Sequence, residues 1–107
     1  MFSQNFRPEM LYQRWIHSHE EDTGSEMVFR PSTFTFPPSR GRSGFELRPD
    51  QSLVEIGIAP TDGSRQETGR WEIGSDGTLR FYKNTRAVPD RTLKVTSLDT
   101  NRLVIER

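Results

Sequence analysis

Hydrophobic residues recur at every second position along most of the chain, in short runs separated by turn-forming residues. This alternation is typical of β-strands with one buried and one exposed face, and it does not fit the 3.6-residue period of a helix. The pattern predicts an all-β fold in which intervening polar residues such as Glu55 and Glu72 face water. The runs are residues 11–17, Met27 and Phe29, Phe34 and Phe36, Phe45 and Leu47, residues 54–58, Trp71 and Ile73, Leu79 and Phe81, Leu93 and Val95, and Leu103 and Ile105.

The odd-numbered positions of the first run are predicted to face the interior. Because side chains alternate between the two faces of a strand, Trp15 and His17 point the same way. The same alternation puts Trp71, Phe81 and Ile105 on the buried faces of their own strands. We therefore expect these five residues to share one interior.

Turn-forming residues lie between the hydrophobic runs. Asp62-Gly63 and Asp76-Gly77 are strong hairpin signals, because glycine adopts a positive φ without steric cost and aspartate tolerates it. A single helical turn is predicted at Pro8–Leu11. Further turns are predicted at residues 48–51, 88–90 and 99–101.

The number of runs and the short turns between them predict the architecture. About eight strands joined in sequence favour an antiparallel up-and-down meander, with residues 31–44 as a proline-rich irregular connection rather than a central strand. An open sheet of this length would leave two edges free to pair, whereas a closed barrel has none. We therefore predict that residues 1–107 form a single domain, a small closed β-barrel. A β-sandwich, or a barrel of five or six strands, is the alternative.

Composition excludes several classes of function. The chain of 107 residues carries 15 basic and 15 acidic side chains and has a formal net charge of zero, whereas affinity for nucleic acid comes largely from excess positive charge. Its longest apolar runs, such as residues 103–105, are far shorter than the ~20 residues of a membrane-spanning helix. It contains no cysteine, which fits a reducing compartment. We expect a cytoplasmic protein with no nucleic-acid partner and no membrane partner.

Several stretches of the chain resemble a known family. They are residues 15–22 (WIHSHEED), 40–47 (RGRSGFEL), 59–62 (APTD) and 69–71 (GRW). With a short N-terminal turn, a first strand that bears Trp15, a series of hairpins and a closing strand at the C-terminus, they resemble the lipocalin-like (calycin) small β-barrels. A group of short bacterial proteins of that type is similar. The resemblance implies a barrel with a pocket at one end and no particular ligand.

His17 and His19 are the sharpest local feature of the sequence. On one face of a strand their side chains would lie roughly 6–7 Å apart, a spacing that can chelate a metal ion. A metal site needs further ligands, and the sequence offers only neighbouring carboxylates such as Glu20, Glu21 and Asp22. We therefore expect histidines that hydrogen-bond to these carboxylates, with no bound metal and no cofactor.

Arginines in the connection 31–44 indicate an anionic ligand. A guanidinium binds a carboxylate or phosphate through two parallel hydrogen bonds, and the glycines beside Arg42 permit close backbone approach. We expect this connection to cover a pocket at one barrel end. The predicted ligand-binding residues are Trp15, His17, His19, Arg40, Arg42 and Trp71.

The sequence thus predicts a non-enzymatic binding protein whose ligand is a small anionic or amphipathic molecule bearing a carboxylate or phosphate. No nucleophile motif accompanies the histidines, so no catalytic residue is assigned. Two alternatives stay open. One is a protein–protein interaction module with a filled barrel, and the other is a small enzyme that uses His17 or His19 with a nearby carboxylate as acid and base.

Overall fold

The computed structural model describes residues 8–38, 41–59, 63–83 and 89–106. Within these residues the chain forms eight β-strands and two short 3-10 turns, at Pro8–Leu11 and His19–Glu21. The strands are β1 (Arg14–His17), β2 (Glu26–Pro31), β3 (Gly44–Leu47), β4 (Ser52–Ala59), β5 (Gly63–Ile73), β6 (Thr78–Lys83), β7 (Arg91–Asp99) and β8 (Arg102–Glu106).

The eight strands close into one antiparallel barrel, which confirms the predicted fold class. Strands β3 to β8 follow one another as an up-and-down meander. The β1–β2 hairpin completes the ring in reversed order, since β2 pairs with β8 and β1 pairs with β3. Each of the described strands therefore pairs on both sides, so none of them offers a free edge for another chain to extend.

The reversed hairpin explains the irregular connection. Because β2 and β3 flank β1 and both run antiparallel to it, the chain must travel from one end of β1 to the other before β3 begins. Residues 32–43, hereafter the crossover segment, make this connection, and residues 39 and 40 of it lie outside the described residues. Backbone hydrogen bonds hold its two ends, from Ser32 N–H to Arg14 O at 3.0 Å and from His17 N–H to Ser43 O at 2.8 Å.

Gly44 allows β3 to approach β1 closely. A Cβ added at this position would collide with the carbonyl oxygen of Trp15. Ile16, the register partner of Gly44 on β1, and Ile56, its partner on β4, lie on the same outward face. A glycine is therefore required where the crossover segment enters the sheet.

The predicted turns are confirmed where the structure describes them. Gly77 has a φ of 81° in the hairpin between β5 and β6, and Gln51 N–H donates to Arg48 O at 2.9 Å in the turn between β3 and β4. The helical turn at Pro8–Leu11 is also present. Asp62 and Val88, from two other predicted turns, lie outside the described residues.

The barrel interior is stratified along its axis. At one end, hereafter the plugged end, the 3-10 turn inserts Leu11, whose side chain is fully buried. Phenylalanine rings form the next level, with Phe45 packing 5.0 Å from Phe29 and 5.1 Å from Phe81 between ring centroids. The predicted interior is confirmed for Trp15, Trp71, Phe81 and Ile105, which belong to one buried cluster. His17, the fifth residue predicted there, is only partly buried and is not part of that cluster.

Candidate functional site

A cavity of about 220 Å³ occupies the barrel end opposite the plug. This is the end where β4 and β6 finish and where β5 and β7 begin, and we call it the cavity end. Phenylalanines form its floor, while charged side chains surround its mouth. The lining residues are Phe29, Ser43, Gly44, Phe45, Glu55, Ile56, Gly57, Glu67, Lys83 and Arg91.

Strand register turns the charged side chains inward. Glu55 is paired with Phe45 on one side and with Glu67 on the other. Residues directly opposite on antiparallel strands project from the same face of the sheet, and Phe45 is a core residue. The two glutamates therefore point into the barrel.

The prediction that Glu55 faces water outside the sheet is wrong. Leu53 belongs to the buried core, so alternation along β4 places Glu55 inward and Val54 and Ile56 outward. Val54 and Ile56 are nevertheless buried, with 5% and 6% exposure. Their hydrophobicity therefore reflects burial on the outer face of the barrel rather than in its interior. Hydrophobicity alone could not tell which side of β4 meets the barrel interior.

The same alternation brings two cations to the mouth. Lys83 is two residues beyond Phe81, and Arg91 is the register partner of Phe81 on the neighbouring strand. Arg91 Nη1 lies 2.8 Å from Glu55 Oε1, and Lys83 Nζ lies 3.3 Å from Glu67 Oε1. The described part of the mouth thus contains two ion pairs.

These ion pairs are accessible to water. The Lys83 and Arg91 side chains are 50% and 43% exposed, and pairs this exposed contribute about 0–1 kcal/mol each. Their partners can therefore be exchanged for the charges of a ligand at small cost. The arrangement provides anion-binding and cation-binding groups at adjacent positions.

The predicted tryptophans lie away from this cavity. Trp15 Nε1–H donates to Leu11 O at 3.1 Å, and Trp71 Nε1–H donates to Arg48 O at 3.0 Å. Both acceptors are at the plugged end, below the phenylalanine level. Because neither indole lines the cavity, ligand contact by the tryptophans stays a prediction without support from the geometry.

The two histidines have carboxylate neighbours, as expected from the acidic run that follows them. His17 Nε2 lies 2.8 Å from Asp22 Oδ2, and the His17 ring packs 5.1 Å from Phe29. His19 is half exposed, with Nε2 3.7 Å from Glu20 Oε2. Among the described residues, no group of three or more potential ligands could hold a metal ion.

The Arg42 guanidinium forms hydrogen bonds with other residues of the protein. The Arg42 side chain is only 9% exposed, and the guanidinium contacts Glu20 through both terminal nitrogens and donates to the carbonyl oxygens of Pro37 and His17. The hydrogen bonds from Arg42 lower the pKa of Glu20 from 4.5 to about 2. Arg40, the other predicted arginine, lies outside the described residues.

A second arginine repeats this arrangement on the outer face of the barrel. Arg30 Nη2 lies 2.7 Å from Glu21 Oε1 and Arg30 Nε lies 2.8 Å from Glu21 Oε2. These bonds lower the pKa of Glu21 to about 2. Phe34 packs under the Arg30 guanidinium at 4.8 Å, and Phe36 packs under that of Arg42 at 4.7 Å.

The predicted site and the observed cavity therefore share a region of the barrel, but none of the predicted residues that the structure describes lines the cavity. His17 ends β1 beside Phe29, which lines the cavity. The sequence reasoning missed Glu55, Glu67, Lys83 and Arg91. These four residues could have been identified as inward-facing by counting every second position along each strand, since each lies two positions from a core residue or a glycine.

Comparison with known proteins gives no relative. No family model, no curated protein and no solved structure matches the chain. Among the described residues, no helix is long and apolar enough to cross a membrane.

Proposed function

We propose that this barrel binds a small molecule in the cavity without catalysing a reaction on it. The observation that carries this proposal is the combination of an apolar floor with two accessible cations, Lys83 and Arg91, at the same barrel end. A carboxylate or phosphate is the group that these cations would recognise. The ligand's apolar part would rest on Phe29 and Phe45.

The cavity size limits this ligand. Pockets for drug-sized molecules have volumes of about 300–1,000 Å³, and this cavity holds about 220 Å³. Phe29 and Phe45 expose only 2% and 1% of their surface, so they offer a small apolar contact. We infer a ligand of small-metabolite size whose orientation depends on its charged groups.

Titration of the protein with 3-phenylpropanoate and with inorganic phosphate tests the proposal. Two-dimensional ¹H–¹⁵N spectra should show saturable shifts of amides that line the cavity, such as Gly57. The Arg91→Gln and Lys83→Gln variants should each weaken this binding. The matched control is Lys94→Gln, because Lys94 is exposed on β7 and pairs with Glu106 on the outer surface. Equal binding by Arg91→Gln and Lys94→Gln would contradict the assignment.

A protein-interaction role is the second candidate. Below the phenylalanine level the barrel is filled by fully buried side chains such as Trp15 and Leu79, and Phe34 on the crossover segment is 36% exposed. A partner bound through the outer face would lose affinity on Phe34→Ser. The ligand titration would be unaffected by that change.

An acid/base role has one supporting contact. The carboxylate of Asp22 lies 2.8 Å from His17 Nε2 and orients the ring. A histidine that acts as a general base is commonly oriented by a carboxylate in this way. Any hydrolytic activity that depends on this pair should be lost in His17→Ala. Retention of activity in that variant would exclude His17 as the base.

We also propose a family relationship and a cellular compartment for the protein. A closed antiparallel eight-stranded barrel with a short turn before β1 supports a lipocalin-like (calycin) relationship. The lack of cysteine favours a cytoplasmic location. Fractionation of the native host would test the location.

A further inference from the structure

The four charged side chains that line the described part of the cavity mouth balance one another. Glu55 and Glu67 are direct neighbours across β4 and β5, and each is neutralised by one cation. We propose that the ligand is a zwitterion carrying both an ammonium and a carboxylate, as a free amino acid does. This inference rests on the proposed ligand-binding function and specifies the chemistry of its ligand.

A purely anionic ligand would leave this balance broken. By taking Lys83 and Arg91 from their partners, it would leave Glu55 and Glu67 facing each other across the sheet without the two counter-charges that pair with them in the structure. Like charges directly opposite on neighbouring strands are destabilising. Part of the gain from binding the anion would therefore be lost.

A purely cationic ligand meets the converse problem. An ammonium placed between the two glutamates would satisfy them but release Lys83 and Arg91, which would then repel each other within one small mouth. A zwitterion exchanges both ion pairs at once. The Arg91 guanidinium can bind the carboxylate of the ligand through two hydrogen bonds. The ammonium of the same ligand has three N–H donors for the two glutamates.

The cavity has room for such a molecule. A cavity of about 150 Å³ can hold benzene, and this one measures about 220 Å³. A phenyl ring or a branched aliphatic chain would lie against Phe29 and Phe45, with the charged head group toward the mouth. Aromatic and short aliphatic amino acids have this layout.

Two matched sets of compounds separate the contributions of charge. One set is L-phenylalanine, 3-phenylpropanoate, which lacks the ammonium, and 2-phenylethylamine, which lacks the carboxylate. The other is L-leucine, 4-methylpentanoate and 3-methylbutylamine. Dissociation constants are measured at pH 7 from the shifts of the Gly57 and Gly44 amides. We expect the zwitterion of at least one set to bind about fivefold or more tightly than either singly charged analogue.

A charge-removing variant gives an independent readout. Glu67→Gln should remove the preference for the zwitterion, so that L-phenylalanine and 3-phenylpropanoate bind equally. The control is Glu106→Gln, which removes a carboxylate from a lysine pair on the outer surface and should leave the preference intact. Glu67 is 47% exposed, so this substitution should not disturb folding.

The outcomes distinguish the two proposals. If the carboxylates bind as tightly as the zwitterions, the zwitterion inference fails while the anion-binding function stands. If the amines bind most tightly, both assignments of charge fail. If none of the six compounds shifts a cavity amide, the proposed function itself is overturned, and the zwitterion inference with it.

Discussion

Arg42 and Glu20 face each other through two parallel hydrogen bonds, 2.9 Å between Nη1 and Oε1 and 2.6 Å between Nη2 and Oε2. Arg42 belongs to the crossover segment, whereas Glu20 belongs to the 3-10 turn after β1. The pair therefore ties the crossover segment to the hairpin that it passes. This arginine, one of the predicted ligand-binding residues, thus secures the longest connection of the fold.

Substitution of Arg42 should loosen the crossover segment. Arg42→Lys keeps the charge but loses the two-pronged geometry and the bond to Pro37 O. We expect faster amide hydrogen exchange at His17, whose N–H donates to Ser43, and a loss of about 1–3 kcal/mol in the free energy of unfolding. The control is Arg48→Lys, an arginine whose side chain is 49% exposed. Similar exchange rates in the two variants would refute this role.

Acid should weaken the Arg42–Glu20 pair and the neighbouring Arg30–Glu21 pair. Folding lowers the pKa values of Glu20 and Glu21 from 4.5 to about 2, so the unfolded chain binds protons more readily than the folded one. Their contribution is fully present above pH 4.5 and is lost as the pH falls towards 2. Urea unfolding between pH 7 and pH 2.5 should show a smaller acid loss in the Glu20→Gln, Glu21→Gln double variant than in the wild type. An unchanged acid loss would contradict this assignment, and Glu106→Gln serves as the control.

Gly44 should not tolerate a side chain. The Cβ of Gly44→Ala would collide with the backbone oxygen of Trp15, which cannot move without disturbing the β1–β3 pairing. We expect a loss of about 1–3 kcal/mol in unfolding free energy, as for other overpacked sites. The matched control is Gly24→Ala, where no atom lies within 4 Å of the added Cβ. Equal stability of the two variants would disprove the close approach.

The Trp15 indole should stabilise the plugged end through its hydrogen bond. Trp15→Phe removes this bond from the Leu11 carbonyl oxygen, which still accepts one from Gln13 N–H at 2.8 Å, so the lost hydrogen bond costs about 0.5–1.5 kcal/mol. Urea unfolding measures the loss, and Phe34→Leu at a position 36% exposed is the control. A loss no larger than that of the control would show that the indole N–H contributes nothing.

Local sequence information was sufficient where a signal depended on neighbouring residues. The alternation around Trp15, Phe81 and Ile105 predicted their shared interior, and Asp76-Gly77 predicted a hairpin that the structure contains. The same reasoning failed at β4, because Val54 and Ile56 are hydrophobic residues that are buried on the outer face. A hydrophobic residue indicates that its side chain is buried, but it does not indicate on which side of the sheet the side chain is buried.

The candidate site could be predicted only in part for a related reason. Glu67, near the middle of β5, and Lys83, the last residue of β6, occupy inward positions beside the cavity mouth, where water reaches the barrel and charges are tolerated. In a sequence such charged positions look the same as positions on the outer face. Their location follows from continuing the alternation past the last hydrophobic residue of each strand.

The sequence by itself predicted the strand pattern and the turns, because periodicity and turn chemistry act over a few residues, and it favoured a closed barrel over a sandwich without deciding between them. Tertiary structure alone decided that β2 lies beside β8, that the crossover segment passes β1, and that Arg42 meets Glu20. It also decided which charges gather at the cavity. These contacts join residues distant in sequence, and ring closure with one strand register selects them from many pairings that the same local pattern allows.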